Sequence, residues 1–137
     1  MESARRTLQI IRFAMLLSIL IYGFMIKQLP IQHAKPSSII FLVIAVLCLS
    51  IIRSLFFFRK KLVKPSEVVL STNPLDAIAV RRWQTGQLIT YAFAEAIATY
   101  GLLLHFLGFP HIQAVPFLVM GFLLLLFFPP RLPVTSR

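Results

Sequence analysis

The sequence is poor in acidic residues and nearly lacks cysteine. Only four of its 137 residues are Asp or Glu, and Cys48 is the single cysteine, so no intrachain disulfide can form. There is no Ser/His/Asp set, no paired carboxylates, no glycine-rich phosphate loop and no Cys-x-x-Cys pair. The three histidines have a spacing that matches no metal motif. We therefore expect no enzyme activity, no catalytic residues, no metal site and no cofactor.

What the sequence has instead is an excess of apolar residues. Hydrophobic residues make up 58% of the chain, charged residues only 13%, and the mean hydropathy is +0.86. This composition does not fit a soluble domain of such length. Four apolar stretches each approach the length of about 20 residues that a bilayer requires. We predict one all-α membrane domain over residues 1–137, with transmembrane helices at about residues 8–26, 37–58, 74–107 (including a cytoplasmic extension) and 111–128.

The basic residues predict the orientation of these helices. Of the fourteen Lys and Arg residues, only Lys27 and Lys35 fall on the side opposite the N-terminus, the central loop and the C-terminus. By the positive-inside rule, both termini and the central loop are cytoplasmic, and we expect a bacterial inner membrane. The basic residues are scattered around helix ends without interleaved exposed aromatics. We therefore expect the lipid bilayer, and not a nucleic acid, as the partner of this charge.

The connections predict two antiparallel hairpins. The first connection, around Lys27 to Pro36, is short, and Gly108-Phe109-Pro110 forms a tight turn before the last span. In the central loop, Asn73 is expected to cap a helix whose first residue is Pro74. From there one long helix is expected to continue into the membrane as the third span.

Small residues recur every four positions along this third helix. They predict a face that another helix can approach closely, because little side chain stands between the two backbones. The predicted packing residues are Gly86, Thr90, Ala94, Ala98 and Gly101.

Glu95 is the only acidic residue within the long apolar stretches. A carboxyl group near the middle of the bilayer is a functional candidate, and it should face another helix. Tyr91 and Thr99 stand four residues to either side of Glu95, on the same stripe of the helix. Three other polar side chains at membrane depth are plausible hydrogen-bond partners: Ser18, Tyr22 and Ser50.

The segment Phe93-Ala94-Glu95, followed by Tyr100-Gly101-Leu102, resembles the carboxylate helix of the proteolipid (c) subunits of rotary ATPases. In that family a membrane glutamate carries the translocated proton or sodium ion. The resemblance covers about ten residues and implies that Glu95 is the ion carrier, with Tyr91 and Thr99 as its local neighbours. Four short helices with one buried Glu are also similar to small multidrug exporters, in which the acid lies in the first helix.

The chain has little room for a separate soluble domain, and its small-residue face favours contact with other membrane helices. We expect a non-catalytic subunit or assembly partner of a membrane complex, or a homo-oligomer. The alternative is transport of protons, other ions or small molecules, with Glu95 as the protonatable intramembrane site and Tyr91 and Thr99 beside it.

Overall fold

The computed structural model describes residues 2–28 and 38–131, and within them the chain is helical with no strand. The all-α prediction is therefore confirmed for these residues. Most of the first predicted connection lies outside them. The helices are α1 (Glu2–Gln28), α2 (Ser38–Phe58), a π-helical turn (Arg59–Val63), α3 (Lys64–Thr72), α4 (Ala77–Phe106) and α5 (His111–Phe127).

Three helical segments are long and apolar enough to cross a membrane. They are α1, the continuous stretch from α2 through α3 (Ser38–Thr72), and α4. The fourth apolar helix, α5, has 17 residues, which at about 1.5 Å per residue span roughly 25 Å. The lengths and apolarity of these segments fit an integral membrane protein.

The centre of the fold is the contact between α4 and α5. A Cβ atom built on Gly101 would lie 2.8 Å from the carbonyl oxygen of Ala114, and one built on Gly121 would lie 2.6 Å from the carbonyl oxygen of Ala94. The backbones therefore approach each other with only hydrogen atoms between them. All five predicted packing residues are buried: Gly86, Thr90, Ala94, Ala98 and Gly101. The small-residue face of α4 is thus used within the chain.

The other two long helices flank this pair. α1 packs against α4 and α5, whereas α2 packs against α4 and reaches α5 through side chains such as Phe41, whose ring centroid is 6.2 Å from that of Phe117. No Cα atom of α1 lies within 8 Å of one in α2 among the described residues. In the described residues these two helices therefore do not pack directly against each other, and each packs against α4 instead.

The central segment is more helical than expected. α2 runs through the π-helical turn into α3, and the Lys64 N–H donates to the carbonyl oxygen of Arg59, five residues back. This wider turn comes directly before Pro65, which has no N–H to donate. α3 then packs on the first turns of α4, where Leu70 and Trp83 are fully buried. The stretch predicted as a loop is thus a helical extension with its own small core.

The start of α4 also differs from the prediction. Asn73 ends α3, because its N–H donates to the carbonyl oxygen of Val69 at 2.8 Å. The N-cap of α4 is Asp76, whose carboxylate accepts from the N–H groups of Ile78 and Ala79, both at 3.0 Å. An anionic cap that accepts two N–H groups also complements the positive end of the helix dipole, and this favours a start at Ala77 over one at Pro74.

Gly121→Ala should destabilise the protein. The added methyl group would lie 2.6 Å from the Ala94 carbonyl oxygen and 2.9 Å from the Ala98 Cβ. α5 would then have to move away from α4, at a cost of about 1–3 kcal/mol. Thermal unfolding of the purified protein in detergent measures the effect.

Gly23→Ala is the matched control for this experiment. Nothing lies within 4 Å of the new methyl group, and the better helix propensity of alanine should stabilise α1 by up to about 1 kcal/mol. If Gly121→Ala and Gly23→Ala unfolded at the same temperature, the α4–α5 contact would not depend on the absence of a side chain at Gly121.

Candidate functional site

Glu95 lies where α4 meets α1. The Ser18 hydroxyl of α1 donates a hydrogen bond of 2.9 Å to Oε1 of Glu95. Ser18 is one of the three partners that the sequence suggested. Ser50 is not the partner, because its hydroxyl donates to the carbonyl oxygen of Val46 on its own helix. The carboxyl group therefore ties α4 to α1.

The second carboxyl oxygen of Glu95 has no such partner. Oε2 is covered, and no hydrogen bond reaches it from the described residues. A covered polar oxygen without a partner is unfavourable in an apolar setting. Glu95 thus has the capacity for one more hydrogen bond, or for a proton, at a position between helices.

The two predicted neighbours of Glu95 on α4 do not contact its carboxyl group through hydrogen bonds. The Thr99 hydroxyl donates to the backbone carbonyl oxygen of Glu95 at 2.9 Å, which is the usual bond of a threonine to the residue four positions earlier. Tyr91 is fully buried, and its hydroxyl has no hydrogen-bond partner among the described residues. The structure therefore brings Ser18, and neither Tyr91 nor Thr99, to the carboxyl group.

Arg12 has a role that its position in the sequence did not reveal. Its Nε donates to the carbonyl oxygen of Leu125 at 2.7 Å, and its Nη2 donates to that of Leu126 at 3.2 Å. The last carbonyl groups of a helix lack partners within it and carry partial negative charge. Arg12 of α1 therefore caps the C-terminus of α5.

Arg59 makes a second polar connection in the same part of the fold. Its Nη1 donates to Oε1 of Gln87 at 3.3 Å and to the Thr90 hydroxyl at 3.1 Å, and its guanidinium carbon lies 4.0 Å from the centre of the Phe128 ring. Gln87 and Thr90 are buried on α4. A glutamine at the start of the third apolar stretch was the sequence signal that could have pointed to this contact. Arg59 joins the π-helical turn to α4 and to the residue that follows α5.

The turn between α4 and α5 brings two histidines together. The rings of His105 and His111 are stacked, with centroids 5.2 Å apart and an interplanar angle of 21°. His33 lies outside the described residues. Within residues 2–28 and 38–131, no group of three or more His, Cys, Asp or Glu side chains is placed to hold a metal ion.

Comparisons of the chain with protein families, curated proteins and solved structures found no match. The resemblance of residues 93–102 to the carboxylate helix of rotary ATPase proteolipid subunits therefore stays a prediction. Any role of the Glu95 carboxyl group is therefore argued from its hydrogen bond with Ser18 and its covered Oε2 atom.

Glu95→Leu should destabilise the protein by about 1–2 kcal/mol, because it leaves the Ser18 hydroxyl without its acceptor. Glu95→Gln keeps a carbonyl oxygen for that hydroxyl and should unfold close to the unaltered protein. The double variant Ser18→Ala/Glu95→Leu should show a coupling free energy of about 0.6–1.7 kcal/mol when unfolding in detergent is measured for all four members of the cycle.

Ser50→Ala is the matched control for that cycle. Its hydroxyl bonds within α2, so its effect should simply add to that of Glu95→Leu. If the changes in unfolding free energy from Ser18→Ala and Glu95→Leu also simply added in the double variant, the hydrogen bond between the two residues would contribute nothing to stability.

Proposed function

We propose that this protein is a non-catalytic, four-helix integral membrane protein that acts as a partner for other transmembrane helices, in a larger membrane complex or a homo-oligomer. The observation that carries the proposal is an uncovered strip on the central helix. We call it the open stripe, and it consists of Leu88, Ala92, Ala96, Thr99 and Leu103 of α4.

The open stripe follows from the placement of α1 and α2. Its residues are exposed or half-buried, and at 3.6 residues per turn they fall within about 80° of one another around the helix axis. On one side α1 contacts Glu95 through Ser18, and on the other side Phe58 of α2 packs against Phe93, with ring centroids 6.0 Å apart. Since α1 and α2 do not approach each other in the described residues, the stripe between them stays open.

The side chains at the middle of the open stripe favour a helix as its occupant. Ala92, Ala96 and Thr99 are small and nearly in line, which permits another helix to approach the α4 backbone closely. The predicted packing face of α4, with Gly101 and Ala98, is already filled by α5. A partner helix would therefore meet the opposite face of α4.

The proposed arrangement in the membrane has four spans, formed by α1, α2, α4 and α5 as two antiparallel hairpins with both termini on the cytoplasmic side of a bacterial inner membrane. The excess of Lys and Arg around the termini and the central segment supports this orientation. α3 and the first turns of α4 then lie at the cytoplasmic surface.

A second candidate function is transport of protons, ions or small molecules with Glu95 as the protonatable site. The specific support is the covered Oε2 atom, which has no hydrogen-bond partner in the described part of the chain. Glu95→Gln separates the two candidates, because glutamine accepts the Ser18 hydrogen bond but cannot exchange a proton. A variant that assembles normally and loses a measurable proton or sodium flux would favour transport.

Ala92→Leu should weaken association with the partner helix. The larger side chain would fill the open stripe, and overpacking of this kind usually costs about 1–3 kcal/mol. Recovery of the complex should therefore fall roughly tenfold. The measurement is quantitative co-purification, or self-association, in mild detergent.

Ala14→Leu on α1 is the matched control, because Ala14 is also exposed and the change in volume is the same. Recovery of the complex should be unaffected by it. If both variants assembled as well as the unaltered protein, the open stripe would not be a docking surface.

Cysteine labelling should show that the turn before α4 and the start of α5 lie on opposite sides of the membrane. In a Cys48→Ala background, Leu75→Cys and Ile112→Cys each place a thiol at an exposed position, since these side chains are 90% and 81% exposed. A membrane-impermeant maleimide added to intact cells should label position 112 only. Labelling of position 75 without permeabilisation would contradict the proposed orientation.

A further inference from the structure

A long apolar groove runs between α1 and α5. It has a volume of about 420 Å³. Its lining residues are Ile19, Leu20, Gly23, Ile26, Val115, Leu118, Val119 and Phe122. The groove is open at Gly23, where a Cβ atom would meet nothing within 4 Å. The missing side chain of this glycine leaves room for a ligand between the two helices.

The groove continues towards one end of the two helices. A second depression shares Gly23, Ile26 and Val115 with it and ends at Lys27 and His111. From Phe122 to His111 the path along α5 covers eleven residues, or roughly 16 Å at about 1.5 Å per residue. This matches half of the hydrocarbon core, about 15 Å, which is the depth that one acyl chain spans in its leaflet.

The end of the groove is suited to a negative charge. Lys27 contributes an ammonium group and His111 an imidazole. The N-terminus of α5 is at the same place, with Pro110 as its N-cap residue. The first N–H groups of a helix lack partners within it and carry partial positive charge, so they add to the attraction for an anion.

The groove between α2 and α5 provides a contrast within the same molecule. It has a volume of about 260 Å³. Its lining residues are Ala45, Cys48, Leu49, Ile52, Ile97, Pro116, Phe117 and Met120. No charged side chain lies among them. An acyl chain of any lipid could fill it, but nothing in its lining selects a headgroup.

We propose that the α1–α5 groove is a binding site for one anionic phospholipid, with an acyl chain along Gly23 and the headgroup phosphate at Lys27, His111 and the N-terminus of α5. The apolar lining binds the chain, and the cationic end selects the headgroup by charge. This site is separate from the open stripe and does not depend on a partner protein.

The test is native mass spectrometry of the delipidated protein, titrated with phosphatidylglycerol or with phosphatidylcholine carrying the same acyl chains. The unaltered protein should retain one phosphatidylglycerol in preference to phosphatidylcholine. Lys27→Gln should reduce this preference by roughly fivefold, since it removes the ammonium group, and His111→Gln should reduce it further by removing the imidazole. Lys27 is exposed, so Lys27→Gln should fold normally.

Gly23→Leu fills the groove and should abolish retention of the bound phosphatidylglycerol. Ala45→Leu is its matched control, because it fills the uncharged α2–α5 groove and should leave the preference unchanged. Equal retention of the two lipids by the unaltered protein would overturn the proposal. A preference for phosphatidylglycerol that survived in the double variant Lys27→Gln/His111→Gln would also overturn it. The same holds if Ala45→Leu lost the preference as fully as Gly23→Leu.

Discussion

The close approach of α4 and α5 is the constraint on which the rest of the structure depends. In a bilayer, apolar surface alone does not drive helices together, because lipid chains are as apolar as the side chains. Association then depends on backbone contact, and Gly101 and Gly121 provide it at two points along the pair. Because α5 occupies the small-residue face of α4, α1 and α2 are left to the two flanks, and the open stripe is the part of α4 that remains between them.

The charged residues at one end of the fold act on this same pair. Arg12 binds the last carbonyl groups of α5, and Arg59 binds Gln87 and Thr90 on α4. Arginine suits both positions because it has several N–H donors and keeps its charge where a lysine would deprotonate more readily. Arg12 therefore holds the C-terminus of α5 to α1, and Arg59 holds the first half of α4 to the π-helical turn.

Sequence reasoning predicted the features that depend on spacing along one helix. A period of four residues identified the packing face at Ala94 and Ala98, and the isolated acid identified Glu95. Sequence reasoning did not predict features for which two nearby residues compete, such as the N-cap of α4, which is Asp76 and not Asn73. Nor could it choose Ser18 among three candidate partners, because that hydrogen bond joins residues 77 positions apart. The helix through Pro65 was missed because the π-helical turn that accommodates it has no clear sequence signal.

The position of Glu95 connects the two candidate functions. Its carboxyl group faces Ser18 on α1, while Thr99, whose hydroxyl bonds the Glu95 backbone, lies on the open stripe. A helix that docks on the open stripe would therefore come beside this carboxyl group and could supply a donor to its Oε2 atom after a small side-chain rearrangement. In a low-dielectric setting such a hydrogen bond is worth more than in water. Under the proposed function, assembly and the chemistry of Glu95 would be coupled, because the surface proposed to bind a partner helix would also determine the surroundings of this carboxyl group.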